Sequence, residues 1–143
     1  MEQDELQLRV QRFIRAFGLL EQDQTPCGFP IPPSQAHALH LLGQGEALPQ
    51  HLLAGELHLD KSTVSRLVDG LVNRGWVERA VNPDDRREVR LTLTAAGRTA
   101  AEQLAAAATA KYRGIWERIP PEKRPQVVEA LAVLNDALNG AVK

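Results

Sequence analysis

Five side chains able to hydrogen-bond or carry positive charge crowd between positions 61 and 66: Lys61, Ser62, Thr63, Ser65 and Arg66. Ammonium and guanidinium groups reach guanine edges or phosphates, and short hydroxyls serve either, so this set has the chemistry for reading double-stranded DNA. The residues between and beyond them decide how they are presented. Val64, Leu67, Val68, Leu71 and Val72 recur at i, i+3, i+4, i+7 and i+8, the stripe of a helix with one buried face. Asp60 precedes the stripe as an N-cap candidate, and Gly75 stands where a glycine closes a helix. The predicted helix buries its valines and leucines and offers a polar N-terminal end to a major groove.

The elements around it must hold that end outward. Trp76, Val77 and Val81 frame a short strand, and Val89, Leu91 and Leu93 alternate with Arg90 and Thr92 in a second. The stretch 82–88 between them reads as a loop too charged to pack. Upstream, Ser34 is the expected cap of a helix that stops near Gly43 and Gly45, and Pro49 suits the first turn of another that buries Leu52, Leu53 and Leu57. A short helix, a tight link at His58-Leu59 and a second helix make a helix-turn-helix, and the two strands add a wing. Leu6, Val10, Phe13, Ile14, Phe17 and Leu20 mark an N-terminal helix ended by Gly18 and a proline-rich linker. Thr94 is the expected cap of a long alanine-rich helix running to about residue 119. Pro120-Pro121 breaks it before a last helix carrying Val127, Val128, Leu131, Leu134 and Leu138. The first and last helices have apolar stripes that a second copy of the chain would cover. Trp76 is expected to pack beneath the wing.

The chain has 143 residues and a net charge of −1, which counts weakly against a nucleic-acid partner. The charges are uneven, however: three basic against seven acidic groups over 1–59, seven against six over 60–93, and seven against five over 94–143. Local arrangement, rather than overall charge, has to supply any attraction for DNA. One cysteine, Cys27, excludes an internal disulfide and a multi-cysteine zinc cage. The acidic N-terminus lacks the plan of a signal peptide, no apolar run is long enough to span a membrane, and a soluble cytoplasmic protein is expected.

Four blocks together resemble the MarR family of bacterial transcription regulators: LDKSTVSRLVD from Leu59, LVNRGWVE from Leu71, NPDDRR from Asn82 and LTLTAAG from Leu91. The resemblance implies a mainly α fold with a small β-wing, a winged helix-turn-helix with N- and C-terminal dimerisation helices. On that plan residues 1–143 form a single domain. Its dimerisation helices lie at about 1–22 and 120–143, the winged helix-turn-helix at about 34–93, and the connecting helix at about 94–119. It further implies a homodimer reading a pseudo-palindromic operator, as a repressor, modulated by a small lipophilic or phenolic ligand. DNA contacts would fall on Lys61, Ser62, Thr63, Ser65 and Arg66, with Arg87 entering a minor groove, Asp85 orienting it, and Arg86 on the backbone nearby. One departure is Pro49, where relatives often carry a Thr or Ser hydroxyl for a phosphate, so that Gln50 and backbone N–H groups would have to serve instead. No metal or other cofactor is implied.

Three other readings compete. An oxidant sensor would use Cys27, and a metal sensor would add His37 and His40, spaced i, i+3 on one helix. A winged-helix module used for protein contact would need no DNA. An enzyme is not expected, because Ser62, Ser65 and Asp69 have no histidine beside them in the pattern.

Overall fold

The computed structural model describes residues 1–45 and 47–142. Helix α1 (Glu2–Phe17) is followed by α2 (Pro33–Leu42), strand β1 (Leu48–Pro49), α3 (Gln50–Leu57), α4 (Lys61–Asn73), β2 (Val77–Asn82), β3 (Asp85–Leu93) and α5 (Ala95–Arg118). A 3-10 turn (Pro121–Lys123) then leads into α6 (Arg124–Val142). The described chain forms two compact units, Met1–Ala108 and Thr109–Lys143. The mainly helical fold with a winged helix-turn-helix is the expected one.

The core of the first unit lies where α2, α3, α4 and the sheet meet. Leu39, Leu53, Val68, Leu71 and Leu91 are fully buried there, joined by Ile31, Val64 and Val77. Four of the five stripe residues of α4 face this core; Val72, at the helix end, stays exposed. In α3 only Leu53 is buried, because the helix has just eight residues and Leu52 projects from the opposite side.

Both ends of α4 are closed by local chemistry. The Thr63 N–H donates to Asp60 Oδ1 at 2.7 Å. At the other end Gly75, with φ 79°, turns the chain so that its N–H reaches the Val72 carbonyl and the Trp76 N–H reaches that of Leu71. These paired bonds satisfy carbonyls that the helix would otherwise leave open.

The sheet has the order β1-β3-β2, antiparallel throughout. The hairpin is tighter than expected: only Pro83 and Asp84 form the turn, and Asp85–Glu88 already belong to β3. The Asn82 side chain explains it. Its Oδ1 accepts the Asp84 N–H at 3.0 Å and its Nδ2 donates to Glu88 at 2.9 Å, so a polar loop becomes an ordered turn around a buried amide.

Three further expectations are corrected. The first helix ends at Phe17, where Gly18 adopts φ 93°, so Leu20 lies beyond it. The second begins at Pro33 with Pro32 as its cap, leaving Ser34 inside the first turn. Proline at the first helical position has no N–H to lose, which makes a hydroxyl cap dispensable. The last helix extends to Val142 rather than stopping near 138. In the second unit Arg124 Nε donates to the Trp116 and Ile119 carbonyls at 3.2 Å, and its guanidinium lies over the Trp116 ring.

Thr94 caps α5 as expected, accepting the Gly97 N–H at 3.0 Å. Its hydroxyl also donates to the Gly75 carbonyl, and its N–H donates to that of Trp76. Gly97 is needed for a different reason: a Cβ there would overlap the Trp76 carbonyl. Gly97→Ala should therefore lower unfolding free energy in urea by about 1–3 kcal/mol through overpacking. An unchanged midpoint would show that the close approach is easily relieved.

Candidate nucleic-acid interface

The polar residues of α4 occupy its first turns in unequal circumstances. Lys61 and Arg66 are exposed and form no hydrogen bond or ion pair among the described residues. Thr63 and Ser65 are half-buried. Ser62 is exposed, but its hydroxyl donates to Asp60 Oδ1 at 3.0 Å. The hydroxyl thus supports the cap and keeps its lone pairs open to a donor. Asp60 is held below its ordinary carboxylate value, first by the Thr63 N–H, then by the Thr63 and Ser62 hydroxyls. A depressed value makes the cap complete above the ordinary carboxylate range and lost as pH falls through the lower folded value. Asp60→Asn should accordingly flatten the acid limb of thermal stability between about pH 5 and 2. Identical limbs in both proteins would count against the cap.

Sequence reasoning missed the residue that ties the wing to α4. Arg79 on β2 donates through Nη1 to Asp69 Oδ1 at 2.6 Å, through Nη2 to the Ser65 carbonyl at 2.9 Å, and through Nε to Gln50 Oε1 at 3.3 Å. One guanidinium thus holds β2, the middle of α4 and the start of α3. The only sequence signal was an arginine at an outward strand position. Arg74 makes a smaller tie, donating to Gln35 Oε1 at 2.9 Å while stacking over Trp76. Trp76 is half-buried against the core at the foot of the wing.

At the tip, Asp85 Oδ1 accepts both the Arg87 N–H at 3.1 Å and its Nε at 3.3 Å. The Arg87 side chain is 93% exposed, so the pair directs it without burying it. Arg86 is exposed and has no ion-pair partner among the described residues. Glu88 is held ionised below its ordinary value, first by Arg90 Nε at 3.0 Å and then by Asn82. Between α3, α4 and β3 lies an open recess of about 220 Å³ lined by Gln50, His51, Lys61, Arg87 and Glu88 over Ala54, Val64 and Val89. A second, of about 250 Å³, lies between α2 and α5 and includes His40, Gln44, Leu93, Arg98 and Glu102.

The sensor residues are not brought together. Cys27 is half-buried in the α1–α2 linker with Sγ 2.9 Å from Thr25 Oγ1, whose oxygen also accepts the Phe29 N–H. His37 and His40 are exposed, and His40 is hydrogen-bonded to Gln44. Among the described residues no group of three or more His, Cys, Asp or Glu side chains is placed to hold a metal ion. The metal reading therefore finds no assembled ligand set.

The geometry is that of a winged helix-turn-helix, and residues 31–89, which carry most of it, match the MarR family model. Residues 31–89 are similar to the MarR family over the whole helix-turn-helix and most of the wing. The transcriptional repressor YetL of Bacillus subtilis is 29% identical over 87 residues, 61% of this chain and 52% of YetL. The chain thus spans about half the length of that relative. Streptococcus pneumoniae FabT, solved in complex with DNA, superposes with a TM-score of 0.80 at 20% identity, covering 99% of each chain. Bordetella bronchiseptica BpsR, solved in a study of how 6-hydroxynicotinic acid regulates its DNA binding, gives 0.70 at 23% identity over 95% of this chain and 94% of its own. At these identities the two structures establish the shared fold.

Within this MarR-like module the Arg79 tie is exposed enough that its worth must be modest. A double-mutant cycle with Arg79→Met and Asp69→Asn should give a coupling of about 0.5–1 kcal/mol by urea unfolding. Amide exchange in β2 should accelerate in both single variants; a zero coupling with unchanged exchange would dismiss the tie.

Proposed function

We propose that the chain is a sequence-specific double-stranded DNA-binding transcription regulator, acting as a homodimeric repressor on a pseudo-palindromic operator. The observation that carries this reading is the pairing of two exposed cationic features on one module. Lys61 and Arg66 stand unpaired on the capped end of α4, and Arg87 projects from the wing with Asp85 beneath it. Lys61, Thr63, Ser65 and Arg66 suit major-groove edges and adjacent phosphates, with Ser62 able to accept a hydrogen bond. Arg87 suits the negative potential of a narrow minor groove, and Arg86 a flanking phosphate. YetL's description as a repressor and FabT's capture on DNA support the same reading.

A second copy is called for by the apolar side chains that α1 and α6 leave exposed. Leu6 and Phe13 on α1, and Val128, Leu131 and Leu138 on α6, are each about half exposed. Covering them at about 25 cal/mol per Å² favours pairing, and a two-fold dimer can set two reading helices about 34 Å apart, one turn of DNA. A lipophilic or phenolic effector, in keeping with BpsR's response to 6-hydroxynicotinic acid, has room in the recess between α2 and α5. No helix among the described residues is long and apolar enough to cross a membrane, and a DNA partner is in keeping with a cytoplasmic protein.

Fluorescence anisotropy with duplex from upstream of its own gene tests the central claim. Binding should weaken with salt, log K falling about 0.9 per phosphate neutralised for each unit of log salt. Arg66→Ala and Arg87→Ala should each cost about ten-fold, the latter chiefly where A·T-rich flanks narrow the minor groove. No binding at low salt would favour a protein-contact module instead. In sedimentation the wild type should run as a dimer and Leu131→Glu as a monomer; a monomeric wild type would remove the homodimer.

A further inference from the structure

The Ser62 hydroxyl has a single proton, and that proton is directed at Asp60 Oδ1, 3.0 Å away. We propose that Ser62 meets DNA as a hydrogen-bond acceptor only, and so selects base pairs by which strand carries the major-groove amine. Asp60 is the positioning residue that sets this polarity. The inference rests on the DNA-binding reading and assigns a specificity to one side chain of that surface.

The direction of the bond follows from its acceptor. The same Asp60 Oδ1 receives the Thr63 N–H at 2.7 Å, closing the first turn of α4. Asp60 is held ionised below its ordinary carboxylate value by that N–H first, and by the Thr63 and Ser62 hydroxyls after it. An ionised carboxylate has no proton to give, so Ser62 is the donor. Turning the hydroxyl away would take a partner from a charged acceptor just as the duplex displaces water from it, which costs more than a neutral hydrogen bond gains. Ser62 is exposed in the first turn of α4, and its lone pairs are what remain to face a ligand.

That polarity excludes the sugar-phosphate backbone as its partner. Phosphodiester oxygens accept and do not donate, and the neighbouring carboxylate repels them. In the major groove the donors are adenine N6 and cytosine N4, whereas guanine offers N7 and O6 and thymine O4, acceptors all. Every Watson–Crick pair therefore holds one amine, on one strand. An acceptor-only side chain cannot tell A·T from C·G, because both put the amine on the same strand. It rejects T·A and G·C, where it would face a carbonyl oxygen. The outcome is a degenerate position, A or C on the strand that Ser62 faces. A freely rotating serine would give no such partition, since it can donate to a keto oxygen as readily as it accepts from an amine.

The test is selection of bound duplexes from a randomised pool by the full chain, for wild type, Ser62→Ala, Asp60→Gly and Asp60→Asn. Removing a carboxylate from the interface strengthens DNA binding whatever Ser62 does, so the readout is base preference at each position. Wild type should show a position where A and C on one strand are favoured over G and T by at least about five-fold, one hydrogen bond set against two acceptors left facing each other. Ser62→Ala should flatten that position and leave the others unchanged. Asp60→Gly should flatten it too, because glycine starts a helix almost as well as aspartate but leaves the Ser62 proton free. Asp60→Asn should keep it, since an amide oxygen can stand in for Oδ1, the atom on which both bonds converge. In a selected duplex carrying adenine there, 2-aminopurine pairs with thymine but has no major-groove amine. That replacement should weaken wild type by about five-fold and leave Ser62→Ala nearly unchanged.

An Asp60→Gly protein with the wild-type preference overturns the proposal. So does a Ser62→Ala protein that alters no position, or one that alters a position where wild type separates A·T from C·G. In those cases DNA binding itself stands. Recovery of no duplex by the wild type at low salt overturns the DNA reading and this inference together.

Discussion

The Trp76 backbone is the point on which the module depends. Its N–H closes α4 onto the Leu71 carbonyl, and its own carbonyl receives the Thr94 N–H while lying flush against Gly97. Thr94 then spends one hydroxyl twice, donating to Gly75 and accepting from Gly97. The end of α4, both feet of the wing and the start of α5 are thereby fixed within a few residues. Each bond is worth only about 1 kcal/mol, but most of the groups are backbone, and leaving one unpaired away from water costs more than making it gains. Geometry at this junction is consequently discrete: it holds or the hairpin comes away from the helix.

On the proposed DNA-binding reading, a near-neutral chain needs that rigidity. With a net charge of −1, there is little general attraction for a polyanion, and the cations must be placed rather than merely present. Arg79 shows the difference. It is a cation on the reading module, yet its three hydrogen bonds turn it inward as a strut between β2, α3 and α4. Lys61, Arg66 and Arg87 are left to face outward because struts and caps elsewhere absorb the competing carboxylates: Asp69 by Arg79, Asp60 by Thr63 and Ser62, and Glu88 by Arg90. Asp85 stays with Arg87, where it aims the guanidinium instead of cancelling it.

What the sequence could reveal follows from the range of each interaction. The α4 helix was legible because its stripe, cap and closing glycine are all local, and Thr94 as a cap was legible for the same reason. The two-residue strand β1 was not, since Leu48 and Pro49 have no period of their own and are strand only by pairing with Leu91 and Arg90. Asn82 looked like loop polarity because its partner Glu88 lies six residues on, across a turn that exists only in the folded hairpin. Arg79 was invisible in principle: its meaning comes from Asp69, Ser65 and Gln50, which only the folded chain assembles. Leu52 and Val72 fit their apolar patterns but sit where a short helix or a helix end runs out of core. Candidate contacts on α4 and the wing could be named from spacing, whereas the supports that aim them could not.

The junction also constrains how an effector could act within this unit. The recess between α2 and α5 is walled by Leu93 at the end of β3 and by Arg98 and Ala101 on the first turns of α5, on either side of Thr94. A ligand bound there would press on the segment that anchors the wing. Tight binding alone would change nothing, because an equilibrium moves only by the difference in affinity for its two states. Moving a module from almost wholly competent to almost wholly incompetent takes about 5.5 kcal/mol of such difference. The Arg79 tie is too exposed to resist or supply that much. The bonds that meet at Trp76 and Thr94 come nearer that size when broken together, so an effector acting through this recess would have to distinguish the intact junction from a broken one.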